Sequence, residues 1–300
     1  MYFLKKKLEE INGIFTSQIL DSETKKVTDF YKITPFPNYK DDDNKQTILH
    51  KGNKNILAKQ FKKFIGFNKK VLEVGCGTGQ LSNYFAIGTN NEIVAIDPTK
   101  ESINLAKKFS KKNNITNLKF VNSDIFDDVL STDYFDFIWC NGVLHHTKDP
   151  YKAFQIICTC LKKKGYILVG LYNKIGRLRT LIRKYLSKVF GLKFIEYFDP
   201  TLRNLKLSEN EKKSWINDQY FHPIESLHTL DEVFEWFDRN EIDYIDSIPS
   251  ADFENVQNYL DIFIKKSKGD KYSRLFNQFS MIFNRLGSDG GLFVVIGKKK

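Results

Sequence analysis

Val71-Leu72-Glu73-Val74-Gly75-Cys76-Gly77-Thr78-Gly79-Gln80 decides the fold. Apolar residues run into a glycine cluster, and Leu81, Tyr84 and Phe85 then recur at helical spacing. That pattern predicts a strand, a tight turn and a helix start. Gly75, Gly77 and Gly79 let the backbone pass close to a ligand where a Cβ would collide, and the first N–H groups of the helix are free to face the same space. Two phosphate-binding readings fail. A dinucleotide fingerprint needs a third glycine three positions after the second; counted from Gly75 and Gly77, that position is Gln80. A P-loop ends in Gly-Lys-Ser/Thr, and no such ending follows here.

What remains is Glu73-x-Gly-x-Gly-x-Gly, with a carboxylate inside the strand end. An acid aimed at the ligand suits a cation and repels a pyrophosphate. S-adenosyl-L-methionine (SAM) carries an ammonium and a sulfonium and no phosphate. The next elements agree. Glu92 to Asp97 reads as a buried strand ending in an acid, at about the ~20-residue distance where a second-strand acid meets a ribose diol. A third strand, Leu118 to Val121, leads into Asn122-Ser123-Asp124-Ile125, where Asp124 can accept from an adenine amino group.

In these residues the sequence resembles the class I SAM-dependent methyltransferases, and most closely their small-molecule branch, which includes the ubiquinone and menaquinone C-methyltransferases. The resemblance covers roughly Asn68 to Leu171. It implies a cofactor site in which Glu73, Gly75, Cys76, Gly77 and Gly79 surround the methionine moiety. Asp97 and Pro98 would meet the ribose, Asp124 and Ile125 the adenine, and Asn141 the methionine end. It also implies a last strand antiparallel to its neighbours.

Strands and helices alternate from Val71 to Tyr172, which predicts an α/β fold with a doubly wound, mostly parallel, seven-stranded sheet. Residues 1–55 read as a leader and 56–172 as the SAM-binding core. Residues 173–228 read as a helical cap, and 229–300 as the completion of the core with a second insertion at 249–289. In the leader, Leu4, Leu8, Ile11 and Phe15 can line one helical face. Pro35 and Pro37, set among aromatics, force an extended path, either a lid or a surface arm. Asp41-Asp42-Asp43 reads as a solvated turn.

The chain has 300 residues, 41% hydrophobic, with no apolar run of ~18 residues that would span a bilayer. No apolar stretch follows the N-terminal lysines, as a signal peptide would require. Cys76, Cys140, Cys158 and Cys160 match neither a zinc spacing nor a disulfide framework, so reduced thiols in a cytoplasmic protein are expected. The net charge of +11 comes from lysine used along the whole chain. A composition bias accounts for it as well as a nucleic-acid surface does.

Methyl transfer from a sulfonium needs alignment first, and a base only if the acceptor keeps its proton. The fourth strand ends in Cys140-Asn141-Gly142-Val143-Leu144-His145-His146. This departs from the Asp/Asn-Pro-Pro-aromatic motif of nucleobase amino-methylating enzymes and resembles the small-molecule branch. His145 or His146 can act as base, Tyr172 can contact the acceptor, and His222 can orient it. No metal site is expected. The basic amphipathic segment Gly176 to Phe190 reads as a cap over the pocket, a membrane-surface helix or an RNA contact, in that order. The function expected is methyl transfer to a small-molecule acceptor. An RNA methyltransferase and an inactive SAM-binding regulator are the alternatives.

Overall fold

The computed structural model describes residues 2–33, 35–204, 207–253, 260–283 and 291–300. The chain opens with a hairpin, β1 (Glu9–Ile11) and β2 (Ile14–Thr16). Asn12 and Gly13 join the strands with φ of 54° and 77°, as a two-residue loop matched to strand twist requires. This corrects the expected helical face: Ile11 is an exposed strand residue, while Phe15 is buried in β2.

Helices α1 (Ser22–Ile33), α2 (Lys45–Lys54) and α3 (Ile56–Ile65) follow. The alternating core runs β3 (Lys70–Val74), α4 (Gln80–Ala86), β4 (Glu92–Asp97), α5 (Lys100–Lys112) and β5 (Leu118–Asn122). It continues through β6 (Phe135–Asn141), α6 (Pro150–Cys160) and β7 (Leu161–Tyr172). Four helices come next: α7 (Leu178–Phe190), α8 (Leu192–Phe198), α9 (Pro200–Asn204) and α10 (Glu209–Tyr220). The chain closes through α11 (Leu230–Arg239), β8 (Ile242–Ile248), α12 (Lys271–Ser280) and β9 (Leu292–Lys299).

The sheet has nine strands in the order β1-β2-β5-β4-β3-β6-β7-β9-β8. The two beyond the expected seven are the N-terminal hairpin, with β2 running parallel to β5. β9 is antiparallel to both β7 and β8, as the resemblance implies. Neighbouring strand residues point to opposite faces. Thus Leu72 packs in one core cluster with Phe154 of α6 and Phe237 of α11. Val71 packs in another with Phe61 of α3 and Phe85 of α4. The strand order reverses at β3, between β4 and β6, and the crevice at the carboxyl ends of those strands is where such folds hold ligands.

Two further expectations change. Asp41 and Asp42 are exposed, but Asp43 is buried, 2.7 Å from Lys51 Nζ. The segment expected to lay an apolar face on the body is turned the other way: α7 buries Thr180, Arg183 and Ser187. Arg183 Nε donates to Tyr220 Oη at 2.8 Å, and Tyr220 donates on to Asp199 at 2.6 Å. Just before the helix, Arg177 is fully buried and donates to Gln219 and Glu225 at 2.7 and 2.8 Å. These hydrogen bonds fix the orientation, because a buried guanidinium without partners is very costly. Residues 254–259 and 284–289 of the second insertion lie outside the described residues.

Candidate active site

The glycine turn is fastened to the end of β4. Gly75 and Cys76 N–H donate to the Ile96 carbonyl at 2.8 and 3.1 Å. Gly77 N–H donates to one oxygen of Asp97 and Thr99 N–H to the other, both at 2.8 Å. At Gly77, φ is +51° and a Cβ would come within 2.4 Å of the Phe36 carbonyl oxygen. Gly79 has a different neighbour: a Cβ there would lie 2.6 Å from Ala106 Cβ. That glycine permits α4 and α5 to approach and does not line the cavity.

A cavity of about 410 Å³ opens over this turn, a size typical of small-molecule sites. Glu73, Gly75, Cys76, Gly77, Asp97, Pro98, Asp124, Ile125, Asn141, His146 and Tyr172 all line it. His145 and His222 do not.

Glu73 is buried and accepts from the Ser82 hydroxyl. Burial, reinforced by the charge of Asp97, pushes its carboxyl up to about 8. Burial also raises Asp97, against the lowering effect of the Thr99 and Gly77 N–H groups. Neither acid is ion-paired among the described residues. Two desolvated acids without a cationic partner, walling a small-molecule cavity, fit a cationic ligand.

The leader closes one side. Thr24, Val27 and Tyr31 of α1 face the cavity; the Thr24 hydroxyl donates to Asp124 and the Tyr31 hydroxyl to Asp218 at 2.6 Å. Gln80 Nε2 donates to the Asn38 carbonyl at 2.8 Å. The sequence reading missed Thr24, Val27 and Asp218. The i, i+3, i+7 spacing of Thr24, Val27 and Tyr31 was the available signal.

The far side is built on histidines. His146 Nδ1 lies 2.7 Å from the Ile224 carbonyl oxygen, and His222 Nδ1 lies 2.6 Å from the same atom. The two rings stack with centroids 3.6 Å apart. A carbonyl only accepts, so each Nδ1 carries the hydrogen and each Nε2 keeps its lone pair. The Ile224 N–H also approaches His222 Nδ1, at 3.2 Å, the longer of the two contacts. Burial lowers His146 to about 4; burial and the neighbouring His146 lower His222 to about 3. Both rings are neutral near pH 7.

His145 is fully buried against the Tyr172 ring, 4.0 Å between centroids. Its ring nitrogens have no hydrogen-bond partner among the described residues, and it does not reach the cavity. Tyr172 Oη accepts from Gln219 Nε2 at 2.8 Å, and the Arg177 guanidinium sits 3.7 Å from its ring centroid. Glu225 pairs with Arg177, and His228 joins Ser226 and Glu232, each at 2.8 Å. Among the described residues no cluster of His, Cys, Asp or Glu is arranged to hold a metal ion.

A family model described as "Methyltransferase domain" matches residues 65–220. The chain belongs to that family. Its relatives include a ubiquinone biosynthesis O-methyltransferase of Actinobacillus pleuropneumoniae, 31% identical over 134 residues, which are 43% of this chain and 54% of that one. An uncharacterised Synechococcus protein is 23% identical over 59% of this chain and 48% of its own. The chain spans about half the length of the curated relatives it matches. PKMT2 from Rickettsia typhi superposes with a TM-score of 0.58 at 17% identity, over 82% of this chain and 53% of that one; PKMT2 has also been solved with AdoHcy bound. By family and fold, residues 65–220 form a methyltransferase domain of the class I, SAM-dependent kind.

The methyltransferase holds its buried histidines neutral, which gives a pH signature. Their depressed values mean that the associated stability is complete above the ordinary histidine value of about 6.5 and is lost as pH falls toward 4. Scanning calorimetry from pH 7 to 4 should show a falling Tm. The fall should be shallower in His145→Phe, where a fully buried group that must charge in acid is gone.

Proposed function

We propose that this methyltransferase moves the methyl group of SAM onto a hydroxyl oxygen of a small organic acceptor, with His146 as general base. One observation carries the reading: His146 lines the cavity with its Nδ1 2.7 Å from the Ile224 carbonyl oxygen, which leaves Nε2 as the ring nitrogen for a substrate proton. Glu73 would face the cationic methionine portion beside Gly75, Gly77 and Asn141. Asp97 would accept from the ribose hydroxyls, and Asp124 and Ile125 would frame the adenine.

SAM, when bound, supplies a methyl group on a good leaving group. His146 Nε2 would take the hydroxyl proton given up when the acceptor oxygen is methylated and pass it to solvent. His222 positions His146 by stacking. Tyr172, held by Gln219 and packed between His145 and Arg177, forms a rigid part of the cavity wall. The leader excludes water, so alignment and desolvation act together. The name of the Actinobacillus relative supports oxygen as the acceptor atom. The four free, buried cysteines support a reducing compartment such as the cytoplasm.

The test is labelled SAM with a panel of phenols and hydroxylated aromatic acids, alongside total RNA. A methyl ether on a small molecule is expected. Label entering only RNA, with steep salt dependence, would overturn the reading.

A further inference from the structure

Two helices of this protein turn polar residues inward and apolar residues outward. On α7 the inward residues are polar, with Arg183 only 7% exposed, while Tyr185 is 68% and Val189 71% exposed. Leu178, Ile182, Tyr185 and Val189 recur at i, i+4, i+7 and i+11, one continuous stripe. Phe190 extends it, and the Phe190, Phe194 and Phe198 rings continue it into α8 at centroid spacings of 5.5 and 4.5 Å. α12 repeats the inversion. Ser273 and Gln278 are buried, and Leu275, Phe276 and Phe279 are exposed.

The two segments meet at the start of α7 and the end of α12. Arg179 Nη1 donates to the Ile282 carbonyl at 3.1 Å, and Gly176 lies against Met281 just past α12. The rim of this platform is basic. Arg179, Lys188, Lys193 and Lys271 are exposed, against the exposed acids Glu196 of α8 and Asp270 at the start of α12, and neither α7 nor the stretch from Lys271 to Phe283 contains an acid. Isolated apolar residues on a surface are ordinary, but a contiguous patch of this kind is not.

We propose that this platform docks the methyltransferase onto an anionic lipid bilayer. Charge complementarity selects that occupant. A bilayer surface offers acidic headgroups to the rim and the acyl boundary to the stripes. A second copy seated face to face would bring its own lysines and arginines against these. The hydrogen bonds of Arg177 and Arg183 hold the polar side of α7 inward, so the apolar side is presented without unfolding. The chain enters α7 only six residues after Tyr172, a wall of the cavity, so docking places the reaction close to the membrane surface and favours an acceptor that partitions into lipid.

Vesicle sedimentation tests this without methyl transfer, so its outcome is separable from the choice of acceptor. The full chain should pellet with vesicles of phosphatidylglycerol and phosphatidylcholine, and at least tenfold less with phosphatidylcholine alone. Ile182→Ser/Tyr185→Ser/Val189→Ser should lower anionic-vesicle binding at least tenfold while leaving Tm and SAM affinity unchanged. Should that variant not fold, wild-type protein still decides: release from anionic vesicles on raising salt from 0.1 to 0.5 M supports the proposal. Equal binding to both vesicle types, or to neither, overturns it. So does a wild-type dimer by sedimentation velocity that the same substitutions dissociate, since the face would then be an interface between copies.

Discussion

Asp97→Ala is expected to weaken SAM binding by two to four orders of magnitude in titration calorimetry. A carboxylate accepting from two ribose hydroxyls makes charge-assisted hydrogen bonds of about 1.5–3 kcal/mol each, and both disappear. The same substitution releases Gly77 N–H and Thr99 N–H, which the two carboxylate oxygens now hold, so the glycine turn keeps only its backbone bonds to Ile96 at the end of β4. The fold should survive. Asp97 is a buried acid whose pKa burial raises, so its removal relieves a desolvation cost as it removes hydrogen bonds. Asp97→Asn should lie between wild type and alanine, because its amide oxygen still accepts while its NH₂ opposes an N–H. Unchanged SAM affinity in Asp97→Ala would remove Asp97 from the cofactor site.

His146→Gln is expected to lower kcat by about 10²–10⁴, the usual contribution of a positioned base, with SAM affinity unchanged. The pH profile separates a proton acceptor from a packing residue. With His146 held at about 4, the wild-type rate should stay flat from pH 8 down to 6 and fall only as pH approaches that value. The glutamine variant, lacking the base, should gain rate as pH rises and the acceptor ionises on its own. His222→Gln, which removes only the stacked support 3.6 Å away, should cost less than His146→Gln. A His146→Gln enzyme with more than half the wild-type kcat would show that the acceptor needs no base.

The core was legible because each of its signals is local. Glycines at Gly75 and Gly77, an acid at the end of each of two successive strands, and alternation of strands and helices broken only between β5 and β6 all lie within short windows. The N-terminal hairpin was legible too, in Asn12-Gly13, but helical spacing across Leu4, Leu8, Ile11 and Phe15 competed with it. The extra strands were missed because periodicity was weighed above turn chemistry.

The acceptor side was harder to read for a different reason. His146 and His222 are 76 positions apart, and only folding brings both onto the Ile224 carbonyl. Nothing near His145 says that it is sealed behind Tyr172 while its neighbour reaches the cavity. The inversion of α7 was hidden as well. Amphipathicity fixes which residues share a face, but not which face turns inward. That was decided by Arg177 and Arg183 finding Gln219, Glu225 and Tyr220, partners on and just beyond another helix.

The most direct test is the structure of the protein with S-adenosylhomocysteine bound. The account predicts adenine beside Asp124 and Ile125, both ribose hydroxyls on Asp97, and the sulfur facing the space onto which His146 Nε2 opens. A nucleoside seated elsewhere, or a sulfur directed away from His146 toward a wall without a proton acceptor, would contradict it.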